Sequence, residues 1–425
     1  MKLLIKNGRV VHPITNAVLP QDVLVEDGKI TLLERGIEAE ADRVIDATGL
    51  AVAPGLVDMH VHLRDPGLTY KEDILTGSAA AARGGVTTMA CMANTSPTVD
   101  SPEQVTYVRE KAQEGSGVRI HPIAAVSKGL RGEELTDFDA LKKAGAIALS
   151  DDGSNIDNAN LMRDALIRAR RVDLPILCHC EDTSMVENRA VNEGSVSRQL
   201  WLEGRPAIAE EIVVMRDAML AEETGAHVHI CHVSTAKSVD IIRRMKKKGA
   251  PITCETCPQY FTLTEDEVLT KGSMARVNPP LRTAVDVNGI IAGLKDGTID
   301  VIATDHAPHS ADEKARPLAK APSGMVGLET SLAVTLTALY HTKKMDLPAI
   351  IRRMTANPAD ILSLPRGRMA IGSAADLVIF DPDEEWVIEP EKFASKGRNT
   401  PFAGATVKGK VKYTIVGGQV IYQDQ

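Results

Sequence analysis

The sequence predicts an α/β fold: a (β/α)8 barrel carrying a small β-sandwich built from both chain ends. Three observations predict it. Short runs rich in Val, Ile and Ala recur eight times through the middle of the chain, each followed by a polar segment and a helical pattern. The two ends instead alternate apolar and polar residues around Gly-centred turns. The length, 425 residues, accommodates one large barrel with a smaller unit beside it.

Residues 1–52 contain KLLIKNGRVV and DVLVEDGKITLL, with Asn7-Gly8 and Asp27-Gly28 as turn signals. Residues 366–425 contain ADLVIFDP and KGKVKYTIVGGQVIYQ, which read the same way. Neither end has strands enough for its own core, so both are expected to share one composite β-domain, with 53–365 inserted between them. The eight inner runs are 55–62, 85–94, 118–127, 145–153, 174–180, 227–234, 251–258 and 301–309. Such runs alternating with helices imply βα units and a parallel sheet, and eight of them match a closed barrel. Longer gaps after the fifth and seventh runs imply insertions. Segment 310–323, ADEKARPLAKAPSG, reads as a long mobile loop and a candidate lid.

Composition narrows the function. Hydrophobic residues at 44% and charged residues at 25% support a globular core. Aromatics at 3% are too few for base-stacking platforms, and a net charge of −8 opposes a polyanion-binding face, so nucleic acid is not an expected partner. No long apolar run suits a membrane span, and no apolar region follows the basic N-terminal residues as in a signal peptide. Six Cys make no disulfide framework, which points to a reducing cytoplasm.

The polar residues at the run ends carry the chemistry. His60 and His62 end the first run, Asp151 and Asp152 the fourth, and His179 the fifth. His232 lies near the end of the sixth, and Asp305 and His306 end the eighth. Barrel enzymes build their sites at these C-terminal strand ends. Residues two apart on a strand point to one side, so His60 and His62 both face the barrel mouth. Neutral imidazoles with carboxylates suit Zn²⁺ and related divalent ions. Five or six such ligands exceed one tetrahedral zinc, so two metals sharing a carboxylate are expected. A metal pair can hold a bridging hydroxide and polarise a carbonyl, and a further carboxylate must then shuttle the proton. Asp305 is the candidate.

Other residues read as structural. His121, His227 and His229 are expected to pack within strands, and Cys91, Cys178, Cys180 and Cys231 to be small buried strand residues. Cys254-x-x-Cys257 has no second pair and is not read as a zinc ribbon. The basic run from Arg243 to Lys248 is expected to be a solvated helix end.

Taken together, PGLVDMHVHLRDPG (54–67), GGVTTMACMANTSP (84–97), ALSDDGS (148–154), CHCED (178–182), HVSTAKS (232–238), RVNPPLR (276–282) and IATDHAPHS (302–310) resemble the amidohydrolase superfamily. Within it they are similar to the dihydroorotases of the longer bacterial (type I) form. The resemblance spans essentially the whole chain and implies a TIM-like barrel. It implies His60 and His62 as ligands of a first metal, His179 and His232 as ligands of a second, and Asp305 as both ligand and catalytic aspartate. Many relatives bridge their metals with a carboxylated lysine. ALSDDGS has no lysine, and the resemblance assigns the bridge to Asp152 rather than Asp151. The implied cofactor is Zn²⁺, one or two per chain, with a binuclear site expected.

For substrate, the resemblance implies Arg64, Asn94, Asn278, His309 and the Ser323-Gly324 backbone, beside His62. Chemistry agrees, since a guanidinium fork pairs with a carboxylate and an amide reads a ring donor and acceptor. The implied activity is the reversible cyclisation of N-carbamoyl-L-aspartate to L-dihydroorotate in pyrimidine synthesis, with metal-bound hydroxide and Asp305 as general acid and base. The alternatives are other cyclic amidases (dihydropyrimidinase, hydantoinase, allantoinase) or a catalytically silent dihydroorotase-like subunit of aspartate transcarbamoylase. The first group usually keeps the lysine and needs no carboxylate anchor; the second typically loses metal ligands. The expected partners are a small-molecule substrate, a second copy in a homodimer, and aspartate transcarbamoylase.

Overall fold

The computed structural model describes residues 1–424. All eight inner runs contain parallel strands: β1 (Leu56–Val61), β2 (Val86–Cys91), β3 (Arg119–Ala124), β4 (Ala148–Ser150), β5 (Ile176–Cys178), β6 (Val228–Ile230), β7 (Ile252–Thr256) and β8 (Val301–Ile302). Each pairs with the next in chain order. A parallel bridge between Val61 and His306 links the ends, and the His62 N–H donates to the His306 carbonyl at 2.8 Å. The ring is therefore closed. Helices cover its outside, so the strands are buried on both faces and read as nearly continuous apolar runs.

Strand alternation sets what points inward. Ala90, Ala148, Leu177 and Val301 share one core cluster with Ile123 and Cys231. Counting by twos from them reaches Asn94, Asp152, His179 and Asp305 at the strand ends. On those strands one alternation supplies an apolar plug below and polar groups above; His60, His62 and His232 are out of step with Met59 and Cys231 of the same plug, and the pairing of β1 with β2 shifts register between Asp58 and Val61. The helix Ala236–Lys247 shows how the outer ring is fixed. Thr235 caps it by accepting from the Ser238 N–H, and Val239, Ile242 and Met245 form its buried stripe. Its basic end is more than solvated: Arg243 pairs with Asp240 and Asp296, and Lys246 reaches Asp300 and the Thr298 carbonyl.

The chain ends form one continuous mixed sheet. Its order is Gln419–Gln423, Thr406–Val416, Leu377–Val387, Ala51–Pro54, Lys2–His12, Ala17–Glu26 and Lys29–Glu34, with Arg43–Asp46 also pairing with Lys2–His12. Leu3, Ile5 and Val23 from one end share a core with Leu377, Ile379 and Ile415 from the other. The insertion after β5 holds two short paired strands, Val191–Asn192 and Gly204–Arg205, around the helix Ser195–Gln199.

Segment 310–323 departs from a plain loop. Ser310 caps a short helix, Ala311–Lys314, in a capping box with Glu313. Lys314 is buried, and its ammonium donates to the carbonyls of Arg276, Pro322 and Gly324 at 3.3, 3.0 and 3.1 Å. Burial and neighbouring Arg276 push this amine down to about 7. The segment's composition reads as a mobile loop, but three carbonyls brought together by the fold hold one of its charges inside. Among the described residues no helix is long and apolar enough to cross a membrane.

Candidate active site

Four imidazoles and two carboxylates meet at the barrel mouth, and all six side chains are buried. Their potential ligand atoms form two groups, His60–His62–Asp305 and Asp152–His179–His232, each within 4.8 Å, and a third group joins His60 and Asp152 with Cys231. Asp152 faces both. Its Oδ2 lies 3.5 Å from His60 Nε2 and 3.3 Å from His62 Nε2, while Oδ1 lies 3.2 Å from His232 Nε2 and 3.6 Å from His179 Nδ1. Asp305 Oδ1 is 3.1 Å from His62 Nε2 and 3.5 Å from His60 Nε2. Asp151 turns away and accepts from the Val126 and Ser127 N–H groups.

The residues fit divalent metal. His60 Nε2 is buried without a hydrogen-bond partner yet is aimed at two carboxylates. Burial opposes charge on both His60 and Asp152, but their mutual attraction outweighs it. His60 is held well above its ordinary range, with Glu255 adding to the effect, and Asp152 is held well below its own. Such a cluster of unlike charges in a buried mouth is what a cation replacing the imidazole protons would relieve.

Backbone strain gathers here. Arg64, His232 and Asp305 have φ of 61°, 34° and 48°, left-handed values uncommon outside glycine. Three such residues around one mouth mark it as functional, because strain persists where the surrounding structure enforces it.

A supporting layer holds the ligands. His60 Nδ1–H donates to Glu255 Oε1 at 2.5 Å, which turns Nε2 to the centre. The other Glu255 oxygen lies 3.3 Å from His229 Nε2, so His229 is packed as expected but also supports the site. His121 and His227 are half-buried, and the latter meets Thr253 at 2.8 Å. Asp58 accepts from the His60 N–H below the cluster, and burial pushes its carboxyl up to about 7. The sequence reading missed Glu255 and Asp58; a charged residue inside an apolar run was the available signal. Glu255→Gln is expected to weaken metal binding about 10- to 100-fold, measured by chelator competition, because the amide loses the charge that orients and polarises His60. Unchanged affinity would reduce Glu255 to a packing role.

The substrate candidates are arranged around this centre. Asn94 Oδ1 accepts from His62 Nδ1–H at 2.8 Å and so orients a ligand imidazole. Asn278 Nδ2 sits 3.2 Å from both His179 Nε2 and Glu181 Oε2. Arg205 grips Glu181 at 2.8 and 2.9 Å and also binds Asn278 Oδ1. Arg205 and Glu181 are further residues that motif reading passed over. On the opposite side, His309 Nε2 is 2.8 Å from the Ser323 carbonyl and 3.5 Å from the Arg64 guanidinium. Burial, with Arg64 and Lys71 nearby, lowers His309 to about 3, so its ring is neutral. Gly324 has φ of 135°, and an added Cβ would lie 2.8 Å from Ala307 Cβ, so only glycine suits that backbone.

Arg64 is the most telling of these. It is 8% exposed, and its Nε–H donates to the Pro308 carbonyl at 3.2 Å. Among the described residues no carboxylate pairs with its guanidinium. Asp305, Asp152 and Glu313 act on it only from beyond ion-pair contact, and a buried cation so placed is costly unless a ligand supplies a closer anion.

The six cysteines are all buried and unpaired. The burial of Cys91, Cys178, Cys180 and Cys231 matches their reading as small packed residues.

Comparison with known proteins agrees with this geometry. The family described as Dihydro-orotase-like matches residues 49–238. A protein of Clostridioides difficile named dihydroorotase is 48% identical over 421 residues, covering 99% of both chains. One of Citrifermentans bemidjiense with the same name is 49% identical over 424 residues, covering 100% of both. Among solved structures, an L-hydantoinase (dihydropyrimidinase) from Arthrobacter aurescens superposes with a TM-score of 0.89 at 26% identity, covering 99% of this chain and 96% of its own. A dihydropyrimidinase from Brevibacillus agri gives 0.86 at 25% identity, covering 100% and 95%. Full-length identity near one half to the first two proteins decides the family: the chain belongs to the dihydroorotases.

Proposed function

We propose that the chain catalyses the reversible cyclisation of N-carbamoyl-L-aspartate to L-dihydroorotate, a step of pyrimidine synthesis, at a binuclear zinc site. His60, His62 and Asp305 would hold one ion, His179 and His232 the other, with Asp152 between them. When bound, the ions supply a water acidified toward neutral pH and polarisation of the scissile carbonyl. The remaining chemistry belongs to the chain. Arg64 binds the substrate carboxylate through its fork, while His309 and the Ser323-Gly324 backbone wall that pocket. Asn278, oriented by Arg205, reads the ring amides, and Asn94 acts there through His62. In hydrolysis Asp305 takes the proton of the attacking water and returns it to the leaving ring nitrogen. In cyclisation it takes that proton from the carbamoyl nitrogen, as microscopic reversibility requires.

The observation that carries this reading is buried Arg64, beside the metal-type cluster and with no carboxylate in ion-pair contact. A hydantoin or dihydrouracil ring has no carboxylate to satisfy it. The test is metal content measured beside turnover of dihydroorotate. Stripping with a chelator is expected to abolish turnover, and two equivalents of Zn²⁺ to restore it. Turnover that survives complete stripping would refute the metal assignment, and full recovery at one equivalent would refute the binuclear one.

A further inference from the structure

The short helix Ala311–Lys314 contacts the loops that carry the substrate candidates through two neighbouring side chains. Glu313 accepts from the Tyr70 hydroxyl at 3.1 Å and pairs with Lys71 at 2.9 Å, on the segment that follows Arg64. Lys314 engages the opposite loops and is 1% exposed. Its ammonium donates to three backbone carbonyls, those of Arg276, Pro322 and Gly324. Among the described residues no carboxylate pairs with it. Burying an ammonium against neutral acceptors alone is costly, and a site built only for stability would hold an apolar side chain there.

What the ammonium holds is the wall of the proposed carboxylate pocket. Three successive carbonyls run through that wall, and each has its donor. Lys314 donates to those of Pro322 and Gly324, and His309 Nε2–H to that of Ser323 at 2.8 Å. The Gly324 carbonyl also accepts from Asn399 at 3.0 Å, and the Gly324 N–H donates to the Arg276 carbonyl at 2.9 Å. Lys314 thus joins segment 322–324 to residue 276, two places before Asn278. The arrangement has an electrostatic side. Carbonyl oxygens beside an anion repel it, and an ammonium that gathers two of them offsets that repulsion. The charge of Lys314 reaches the pocket, since it adds to burial, Arg64 and Lys71 in keeping the His309 ring neutral.

We propose that Lys314 is a positioning residue for the substrate carboxylate: it locks the Pro322–Gly324 wall and adds positive potential behind it, without touching the substrate. This rests on the reading of Arg64 and that wall as the site of the carboxylate.

Steady-state kinetics on the zinc-loaded whole chain test it. Lys314→Met, similar in length but without donors, is expected to raise KM for dihydroorotate about 10-fold or more. Metal content and kcat per bound metal should stay within about threefold of wild type, as a loss of uniform binding requires. In the Arg64→Ala background the same substitution should change KM less than about threefold, because both residues act on one end of the substrate. Lys314→Gln keeps two donors on a shorter stem and carries the test where the methionine variant does not fold; it should raise KM at least about threefold. A wild-type KM in either folded variant, or an effect of the same size in both backgrounds, would overturn the proposal. So would a loss of kcat and metal as large as the rise in KM, which marks general damage to the mouth. Hydrogen exchange separates this proposal from the activity reading. The Gly324 N–H should exchange at least about 10-fold faster in the Lys314 variants than in wild type. If wild type turns over dihydroorotate and that rate does not rise, the activity reading stands and the Lys314 proposal falls. If wild type does not turn over dihydroorotate, the activity reading fails and takes the role at the carboxylate with it.

Discussion

Asp305→Asn is expected to reduce turnover at least about 1000-fold while leaving the fold intact. The amide keeps the shape of the carboxylate and a contact to His62 Nε2, which lies 3.1 Å from Asp305 Oδ1. It cannot accept and return a proton. Asp305 also belongs to the His60–His62–Asp305 group, so metal content must be measured on the same sample. If the variant keeps its metal and loses kcat, with KM for dihydroorotate little changed, the loss lies in proton transfer. If it keeps its metal and turns over as wild type does, Asp305 has no place in the mechanism. Asp305→Ala should match it in kcat and lose metal as well.

The second large effect is expected at Arg64. Arg64→Ala should raise KM for dihydroorotate about 10- to 100-fold, the loss of a charge-assisted pair of hydrogen bonds to one carboxylate. Arg64→Lys should recover little of this. A lysine restores the charge but not the planar fork, and its amine has no equivalent of the Nε–H that holds the Pro308 carbonyl. The effect should be specific to the carboxylate. Any residual turnover of dihydrouracil, which lacks that group, should be unchanged or improved in Arg64→Ala. An unchanged KM for dihydroorotate would place the carboxylate elsewhere in the site.

Asp152, His179 and Asp305 were legible in the sequence for one physical reason; His60, His62 and His232 stand out of that phase with Met59 and Cys231 and were legible only as strand-end histidines. On a strand the side-chain period is two, so a polar residue at a strand end shares a face with the apolar residues two and four places earlier. That rule aligns Leu177 with His179 and Val301 with Asp305, and it aligns Ala148 and Ser150 with Asp152 but not with Asp151. The structure places Asp151 on backbone N–H groups of the neighbouring loop. Contacts across large sequence separations were not legible. Glu255 meets His60 from 195 residues away, and no local pattern pairs them. Lys314 sits in a segment whose composition reads as a mobile loop, but its acceptors come from residues 276, 322 and 324. The terminal strands were visible as alternation. Their union into one mixed sheet depends on pairing between residues at opposite ends of the chain, such as Val52 with Ile379.

The lysine absent from ALSDDGS gives the site its own character. Asp152 directs one oxygen to each half of the cluster, at 3.3 Å from His62 Nε2 and 3.2 Å from His232 Nε2. If two ions bind as proposed, Asp152 would offer one oxygen to each. The structural neighbours, a hydantoinase and a dihydropyrimidinase, share the barrel. What separates the proposed activity from theirs is the demand for a substrate anion.

The most direct measurement is the ratio of kcat/KM for dihydroorotate to that for dihydrouracil on the zinc-loaded chain. A site built around an unpaired buried guanidinium should favour dihydroorotate by at least about 100-fold, because the uncharged ring leaves that cation unsatisfied. A ratio near one, or a preference for dihydrouracil, would contradict the account.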